Sequence, residues 1–286
     1  MTEELQPGVA PATTASSQNW KLTLAYDGTD FKGWQVQPGE RTVQGELQAA
    51  LGRVLGETPL PQGSGRTDAG VHALAQVASF QLSARIPAAN LHRALNGTLP
   101  PSIRVTETRT VRSTFHARHS AVGKSYEYRI FRAALCPPFL ARYVYANRWP
   151  MDVDAMNQAA AQFVGQHDFL SFAASDPDQS TRQAEPTAED GKQIGTVKTV
   201  FSSSWEEQEI PEGALLVYRV RGSGFLHHMV RNLVGAMLDV GRGHITADQI
   251  PAILAARSRS AAGPTAPARA LFLHSVEYRS QDEVLD

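Results

Sequence analysis

This sequence of 286 residues has a single cysteine, no long apolar run and no excess of basic over acidic residues. Cys136 is the single cysteine, so neither an internal disulfide nor a cysteine-based metal cage can form. No apolar run approaches the ~20 residues that a bilayer-spanning helix needs. Residues 1–17 carry Glu3 and Glu4 instead of the basic start and apolar stretch of a secretory signal. We therefore expect a cytoplasmic protein without membrane contact.

A net charge of −1 lacks the positive excess that is typical of nucleic-acid-binding proteins. However, segments 1–4, 175–190, 206–212 and 280–286 hold half of the 28 acidic residues and only one basic residue, Arg182. In the densest basic stretch, residues 104–132, six of the seven lysines and arginines are arginine, whose planar guanidinium suits phosphates and bases. GC-rich codon usage with a solvated surface would give the same distribution. Charge therefore permits an RNA ligand without establishing one.

Hydrophobic periodicity predicts an α+β fold with two similar halves. In the first half we predict strands at 20–27, 74–80 and 103–111, a helix capped by Thr42, and a helix that Pro87 opens and Gly97 ends. In the second half we predict strands at 126–131, 197–205, 215–220 and 271–278, with helices from Asp152 to Gly165, at 226–240 and, more weakly, at 248–257. The second half then has the β-α-β-β-α-β order of a ferredoxin-like fold. The first half matches it if 58–62 is a short edge strand, which Pro59 and Pro61 disfavour.

The sequence thus predicts two ferredoxin-like halves whose strands join into one antiparallel or mixed sheet around a central basic cleft. The predicted division is a disordered tail at 1–18, halves at 19–112 and 113–280, and an acidic tail at 281–286. Within the second half, the polar segment 174–196 is predicted to be a mobile loop.

The most unusual segment is Gly63-Ser64-Gly65-Arg66-Thr67-Asp68-Ala69-Gly70-Val71-His72. Glycines permit a close backbone approach, so this loop could present Asp68 to a ligand. Alternatively, Asp68 caps a turn and Arg66 is a surface charge, as is common beside glycine. The segment is neither a phosphate-binding loop nor a dinucleotide fingerprint, because their lysine and third glycine are missing.

Residues 65–72 resemble the signature of the TruA family of tRNA pseudouridine synthases. The resemblance extends over nearly all of residues 20–279. Further matching motifs are Tyr26-Asp27-Gly28, Gly33-Trp34-Gln35, Thr42-Val43-Gln44, Phe115-His116-Ala117-Arg118, Asp168-Phe169, Ser171-Phe172, Phe225-Leu226-His227-His228-Met229-Val230-Arg231-Asn232 and Thr265-Ala266-Pro267. Several motifs in the right order make this similarity specific.

The resemblance implies a role for each matching position. Asp68 would be the catalytic carboxylate, Arg231 its ion-pair partner, and Tyr126 the aromatic side chain that stacks on the target base and takes part in removing the C5 proton. The substrate-binding residues implied are Arg66, which would fill the space of an extruded nucleotide, Leu271 and Phe225 at the base pocket, and Phe115, His116 and Arg118 on the RNA backbone. Without the resemblance, Arg231 could be a surface residue, while Tyr126 and Leu271 could be ordinary strand residues.

The resemblance also implies the reaction and the partners. Uridines in the anticodon stem-loop of tRNA, expected at positions 38–40, would be isomerised to pseudouridine by a homodimer. Bond cleavage, base rotation and rebonding through C5 need no cofactor. We expect no metal site, because His116/His119 and His227/His228 lack a ligand set and neighbouring helix residues point in different directions. Asp68 could attack C1′ or C6, or act through a glycal.

Two other functions remain possible from the residues. A non-catalytic RNA-binding or tRNA-chaperone protein could keep the fold, although it would not need Asp68, Tyr126 and Arg231 together. A hydrolase or glycosidase with an aspartate nucleophile usually needs a second carboxylate, and no convincing partner for Asp68 is present.

Overall fold

A computed structural model of the protein describes residues 17–174 and 195–283. The strands are β1 (Gln18–Tyr26), β2 (Gln62–Gly63), β3 (His72–Leu82), β4 (Ile103–Val111), β5 (Ala121–Phe131), β6 (Tyr145–Ala146), β7 (Gly165–Asp168), β8 (Val197–Ile210), β9 (Gly213–Gly222) and β10 (Leu271–Tyr278). The helices are α1 (Val43–Leu55), α2 (Ala88–Thr98), α3 (Val153–Ala161), α4 (Met229–Gly241), α5 (Ile250–Ala255) and α6 (Ser280–Glu283). None of the helices in the described ranges is long and apolar enough to cross a membrane.

The predicted α+β fold with two ferredoxin-like halves is confirmed. In the first half the sheet order is β4-β1-β3, with β2 paired to β3. In the second half β10 and β9 flank β5, and β8 follows β9. Each half therefore has its fourth, first, third and second strand in that order, which is the arrangement that the predicted β-α-β-β-α-β sequence of elements produces.

A single strand joins the halves into one mixed sheet. β10 pairs antiparallel with β5 and parallel with β3, the latter through Phe272↔His72 and Leu273↔Ala73. One continuous hydrophobic core includes buried residues of both halves, among them Trp20 and Trp205. The catalytic-loop candidate at 63–72 lies immediately before β3, so it is close to this junction.

Local sequence signals placed most elements correctly. The Thr42 hydroxyl accepts a hydrogen bond from the Gly45 N–H at 3.3 Å, and the Asp152 carboxylate accepts one from the Ala155 N–H at 2.9 Å. Both residues are therefore the N-caps that the sequence predicts. The edge strand expected at 58–62 is reduced to Gln62–Gly63, because Pro59 and Pro61 have no N–H for a sheet.

Three helix boundaries differ from the prediction. Gly97 lies inside α2, which continues to Thr98, and Gly165 begins β7 instead of ending α3. The helix predicted from residue 226 begins at Met229, because His228 has a left-handed backbone (φ 58°) that α-helix does not allow.

The predicted tails are shorter than expected where the structure describes them. Gln18 is already part of β1, and residues 281–283 belong to α6. Glu283 forms ion pairs with Lys21 and with Arg109, the latter at 2.6 Å, which fastens α6 to the first half. Residues 1–16, 284–286 and most of the predicted loop, 175–194, lie outside the described residues.

Candidate active site

The loop that carries Asp68 is held by backbone contacts to a second loop, residues 28–34. The Trp34 N–H donates to the Thr67 carbonyl at 3.0 Å, and the Gly70 N–H donates to the Phe31 carbonyl at 3.4 Å. Gly33 has a φ of 93°, and a side chain there would come within 2.6 Å of the Thr67 carbonyl oxygen. This glycine therefore permits the close packing of the two loops that fixes Asp68.

Asp68 is paired with Arg231, which is 163 residues away in the chain. The Arg231 Nη1 lies 3.0 Å from Oδ2 of Asp68, and the two side chains are only 15% and 17% exposed. Arg231 also donates from Nε to the Ala266 carbonyl at 2.8 Å, while the Ala266 N–H donates to the Arg231 carbonyl at 3.1 Å. A charge this shielded from water would be costly without a partner, so the pair stabilises an ionised Asp68.

Two histidines that the sequence prediction set aside also face this carboxylate. Nε2 of His227 lies 3.5 Å from Asp68 Oδ1, and Nε2 of His228 lies 3.4 Å from Asp68 Oδ2. The two rings are 4.0 Å apart. The expectation that neighbouring residues point in different directions was wrong here, because His228 adopts a left-handed conformation in front of α4. Burial lowers the pKa of His228, against the opposing effect of Asp68, so its imidazole is neutral at neutral pH.

Asp68, His227 and His228 could together hold a metal ion, since one ligand atom from each lies within 4.8 Å of the others. The cation of Arg231 on the same carboxylate opposes this, as does the positive N-terminal end of α4 beside His228. The arrangement therefore favours two imidazoles that contact the carboxylate over a set of metal ligands.

A cleft of about 910 Å³ opens in front of Asp68. It brings together most of the residues that the resemblance singled out: Arg66, Asp68, Arg118, Tyr126, Phe225, Arg231 and Leu271 all line it. Tyr126 is 8% exposed and meets Phe225 edge to face at 5.1 Å. Burial, followed by the nearby Tyr26 and Asp68, raises the pKa of Tyr126, so its phenol is protonated at neutral pH.

Phe115 and His116 do not line the cleft, and their predicted contact with the RNA backbone stays a prediction. Phe115 is 4% exposed and packs in a small second core with Val77, Val111 and Ala117. Nδ1 of His116 accepts hydrogen bonds from the backbone N–H groups of Arg118 and His119, at 3.0 and 3.3 Å. Both residues thus shape the turn before β5, and Arg118 alone of the motif reaches the cleft.

Lys124 is a cleft residue that the sequence prediction missed. It lies two residues before Tyr126 on β5, so both side chains project from the same face of the sheet. Its ammonium donates to the Ser64 carbonyl, and burial lowers its pKa to about 8, with Arg118 and Lys198 adding to the effect. Strand alternation from Tyr126 was the signal that could have identified it.

Comparison with known proteins agrees with this geometry. Residues 23–120 and 159–279 match the family described as "tRNA pseudouridine synthase". The chain belongs to the tRNA pseudouridine synthase family. The predicted family and enzyme class, an isomerase that makes pseudouridine in tRNA, are confirmed.

Relatives of the synthase are similar over almost their whole length. The synthase is 49% identical over 259 residues to "tRNA pseudouridine synthase A" of Solibacter usitatus, and the alignment covers 90% of this chain and 98% of that protein. It is 44% identical over 261 residues to the protein of the same name from Moorella thermoacetica, with the same coverage of 90% and 98%. A solved structure titled "Crystal Structure of a Cbf5-Nop10-Gar1 Complex" aligns with 76% of the synthase and 54% of that chain at 16% identity, but its TM-score of 0.28 is too low to bear on the site.

Proposed function

We propose that the protein isomerises uridines of the tRNA anticodon stem-loop, expected at positions 38–40, with Asp68 as the reactive carboxylate. The observation that carries this proposal is the Asp68–Arg231 ion pair at the floor of a cleft large enough for a nucleotide. A uridine within a stem is stacked and paired. It must therefore leave the helix to reach Asp68, at a cost of a few kcal/mol.

Asp68 acts as a carboxylate, and Arg231 orients that carboxylate in the cleft. Arg231 supplies the opposing charge, and its bond to the Ala266 carbonyl fixes the orientation of the guanidinium. The carboxylate is thus preorganised before the uridine arrives, which avoids reorganisation during the reaction. Cleavage of the N1–C1′ bond and rebonding through C5 then proceed without net redox change or hydrolysis.

Tyr126 supplies a stacking surface for the base. Its phenol is protonated in the free protein, so it first acts as a hydrogen-bond donor beside Asp68. Its proposed part in removing the C5 proton requires that another group take the phenolic proton. Phe225 and Leu271 provide apolar walls that hold the detached base while it turns.

Arg66 is proposed to occupy the stack that the flipped uridine leaves. It lies two residues before Asp68 on the same loop and lines the same cleft. A planar guanidinium can stack between bases as an aromatic ring does. Arg66→Ala should therefore weaken activity on a fully paired stem more than on an unpaired uridine, and equal losses on both RNAs would refute the idea.

The decisive variant is Asp68→Asn, which keeps the shape of the side chain and removes its charge. We expect pseudouridine formation to fall by ~10⁴-fold or more, measured as tritium release from C5-labelled uridine in tRNA. Affinity for tRNA should change little. Asp30→Asn is a matched control, because the Asp30 carboxylate is 65% exposed and pairs with Arg142 away from the cleft. Retained turnover in Asp68→Asn would exclude Asp68 as the reactive group. A protein that binds tRNA but never forms pseudouridine, even as wild type, would be an RNA-binding protein of this fold.

We further propose that the protein works as a homodimer in the cytoplasm. The dimer is supported by three large apolar side chains in one segment, Leu135, Phe139 and Trp149, which are 84%, 89% and 62% exposed. Sedimentation equilibrium should give a dimer that Phe139→Ser weakens and Phe201→Ser, at a separate exposed phenylalanine, does not. A wild-type monomer at working concentration would contradict this proposal, and cell fractionation tests the location.

A further inference from the structure

We propose that Lys124, Lys198 and Arg118 form a subsite for the backbone phosphate beside the flipped uridine, and that Lys124 links this phosphate to the catalytic loop. The inference deepens the proposed function and rests on it, because it requires an RNA strand in the cleft. Both lysines would recognise the same phosphate, and Lys124 would also position the catalytic loop.

Lys124 lies between the catalytic loop and the cleft. Its ammonium donates a hydrogen bond to the Ser64 carbonyl, four residues before Asp68. A side chain on Gly65 would come within 3.2 Å of the Lys124 Nζ, so this glycine leaves room for the ammonium. An ammonium has three N–H donors, and the Ser64 carbonyl uses one of them. The remaining donors are free to bind an oxygen from the cleft side.

Two further positive charges lie near Lys124. Arg118 lines the same cleft, and Lys198 lies two residues before Val200, whose cross-strand partner Gly222 also opposes Lys124 in the sheet. After burial, the charges of Arg118 and Lys198 contribute to the lowered pKa of Lys124, and Arg118 also lowers the pKa of Lys198. Such like-charge repulsion costs free energy in the unliganded protein, and a bound anion would relieve it.

Nearby carboxylates are engaged elsewhere. Glu277 binds Arg221 through two contacts of 2.6 Å, and these residues oppose Gly123 and Ser125 in the sheet. Positions 123 and 125 project to the face opposite Lys124, since side chains alternate along a strand. Within residues 17–174 and 195–283, neither Lys124 nor Lys198 forms an ion pair with a carboxylate. The positive charges of these two lysines are therefore available to a ligand.

The position of the cluster indicates which phosphate it binds. Lys124 contacts the segment just before Arg66, whose proposed place is the vacated base stack, while Asp68 reacts at the flipped nucleotide. The phosphates on either side of the flipped nucleotide stay in the RNA backbone. They therefore lie between the vacated stack at Arg66 and the flipped base at Asp68. Lys124 would bind such a phosphate on one side and the Ser64 carbonyl on the other. It would thereby hold the catalytic loop in a fixed position relative to the RNA backbone.

Fluorescence anisotropy with an anticodon stem-loop RNA tests the subsite. Lys198→Gln and Lys124→Gln should each lower affinity by about tenfold and reduce the slope of log K against log salt by roughly 0.7–0.9 per lost phosphate contact. Lys198→Arg keeps the charge and should bind like wild type. Arg85→Gln removes one exposed charge that does not line the cleft, and should leave the slope unchanged.

A neutral phosphate identifies the contact directly. In an RNA with one methylphosphonate next to the target uridine, wild type should lose at least about tenfold in affinity, whereas Lys124→Gln, which keeps only Lys198 and Arg118 at that phosphate, should lose clearly less than wild type. The positioning role predicts that Lys124→Gln lowers kcat as well as raising KM, while Lys198→Gln acts mainly on KM. Thermal melts of each variant show whether it is folded.

The outcomes separate this inference from the proposed function. If both lysine variants bind with the affinity and salt slope of wild type, or if the methylphosphonate costs Lys124→Gln as much affinity as it costs wild type, the subsite is wrong and the proposal of pseudouridine formation still stands. If wild type forms no pseudouridine, the proposed function fails whatever the binding data show.

Discussion

At the scale of single residues, Arg231 shows why charge alone does not define the site. Its Nη1 binds Asp68 and its Nε binds the Ala266 carbonyl, so one rigid guanidinium serves two acceptors. A lysine has one nitrogen on a flexible stem and cannot hold both in this geometry. The orientation of the cation is therefore as important as its presence.

Arg231→Lys should accordingly lower kcat by about 10²-fold while largely preserving affinity for tRNA. Single-turnover tritium release measures the first quantity, and filter binding measures the second. Arg259→Lys is the control, because Arg259 bonds Gly263, Asn232 and Thr265 and does not line the cleft. Turnover within threefold of wild type would show that only the charge of Arg231 is required.

His72 gives a pH dependence at the same scale. The ring is 1% exposed, and its Nδ1 accepts a hydrogen bond from the Gly28 N–H at 3.0 Å, which requires the neutral form. Burial lowers the pKa of His72, although Asp27 and the Arg269 and Arg142 carbonyls oppose the shift. Below the unfolded value of about 6.5, the unfolded chain therefore binds a proton that the folded protein resists.

The free energy of unfolding should thus fall as the pH drops from about 7.5 to about 5.5, a window above the titration of ordinary carboxylates. His72→Asn should lower stability at both pH values and reduce the difference between them. His244→Asn, at a side chain that is 66% exposed, should keep the full difference. Urea denaturation at the two pH values provides the measurement, and an unchanged difference in His72→Asn would contradict the assignment.

The roles of individual residues could be predicted only where the residue belongs to a motif shared with the family. The resemblance named Asp68, Tyr126 and Arg231, and the structure places all three on one cleft. The sequence could not reveal that His227 and His228 face Asp68, because that depends on one left-handed residue. The burial of Phe115 could not be predicted either, since a motif does not tell which of its side chains are buried.

At the scale of elements, α4 positions Arg231 through close contact with residues 264–266. A side chain at Gly235 would lie 1.8 Å from the Pro264 carbonyl oxygen, so only glycine lets this segment approach the helix. The same segment supplies the Ala266 carbonyl that orients Arg231. Packing at Gly235 therefore affects the geometry of the active site.

Gly235→Ala should lower the free energy of unfolding by about 1–3 kcal/mol, since the added methyl group must displace backbone. It should also lower kcat, because the Ala266 carbonyl moves. Gly97→Ala is the matched control: it lies inside α2 with nothing within 4 Å of an added methyl group, and should raise stability by roughly 0.5–1 kcal/mol. Urea denaturation of both variants tests the pair, and similar effects of the same sign would refute the packing argument.

The elements themselves were predictable where the signals are local. Thr42 and Asp152 mark the starts of their helices, and alternation of apolar and polar residues marks β1 and residues 126–131 of β5, because caps and periodicity involve only near neighbours in sequence. The short β6 and β7 carry too few residues for a pattern. The parallel pairing of β10 with β3 depends on contacts between residues 200 positions apart in the chain, which no local pattern specifies.

At the scale of the whole molecule, the two halves share too many contacts to be independent domains. β10 pairs with both β5 and β3, the core is continuous, and the Asp68–Arg231 pair crosses from one half to the other. His72 adds a further link, since its Nε2 lies 3.0 Å from the Arg269 carbonyl. Opening either half would therefore expose part of the core and break the active site, which predicts a single cooperative unfolding unit.

Hydrogen exchange tests this with a variant in one half and a readout in the other. Gly235→Ala lies in the second half. If the halves unfold together, it should speed the exchange of slow amides in β1 and β4 by the same factor as in β8 and β9. Gly97→Ala, in the first half, should slow exchange in all four strands. Acceleration confined to β8 and β9 would instead mean that the halves open separately, and the cleft between them would then depend on bound RNA to stay assembled.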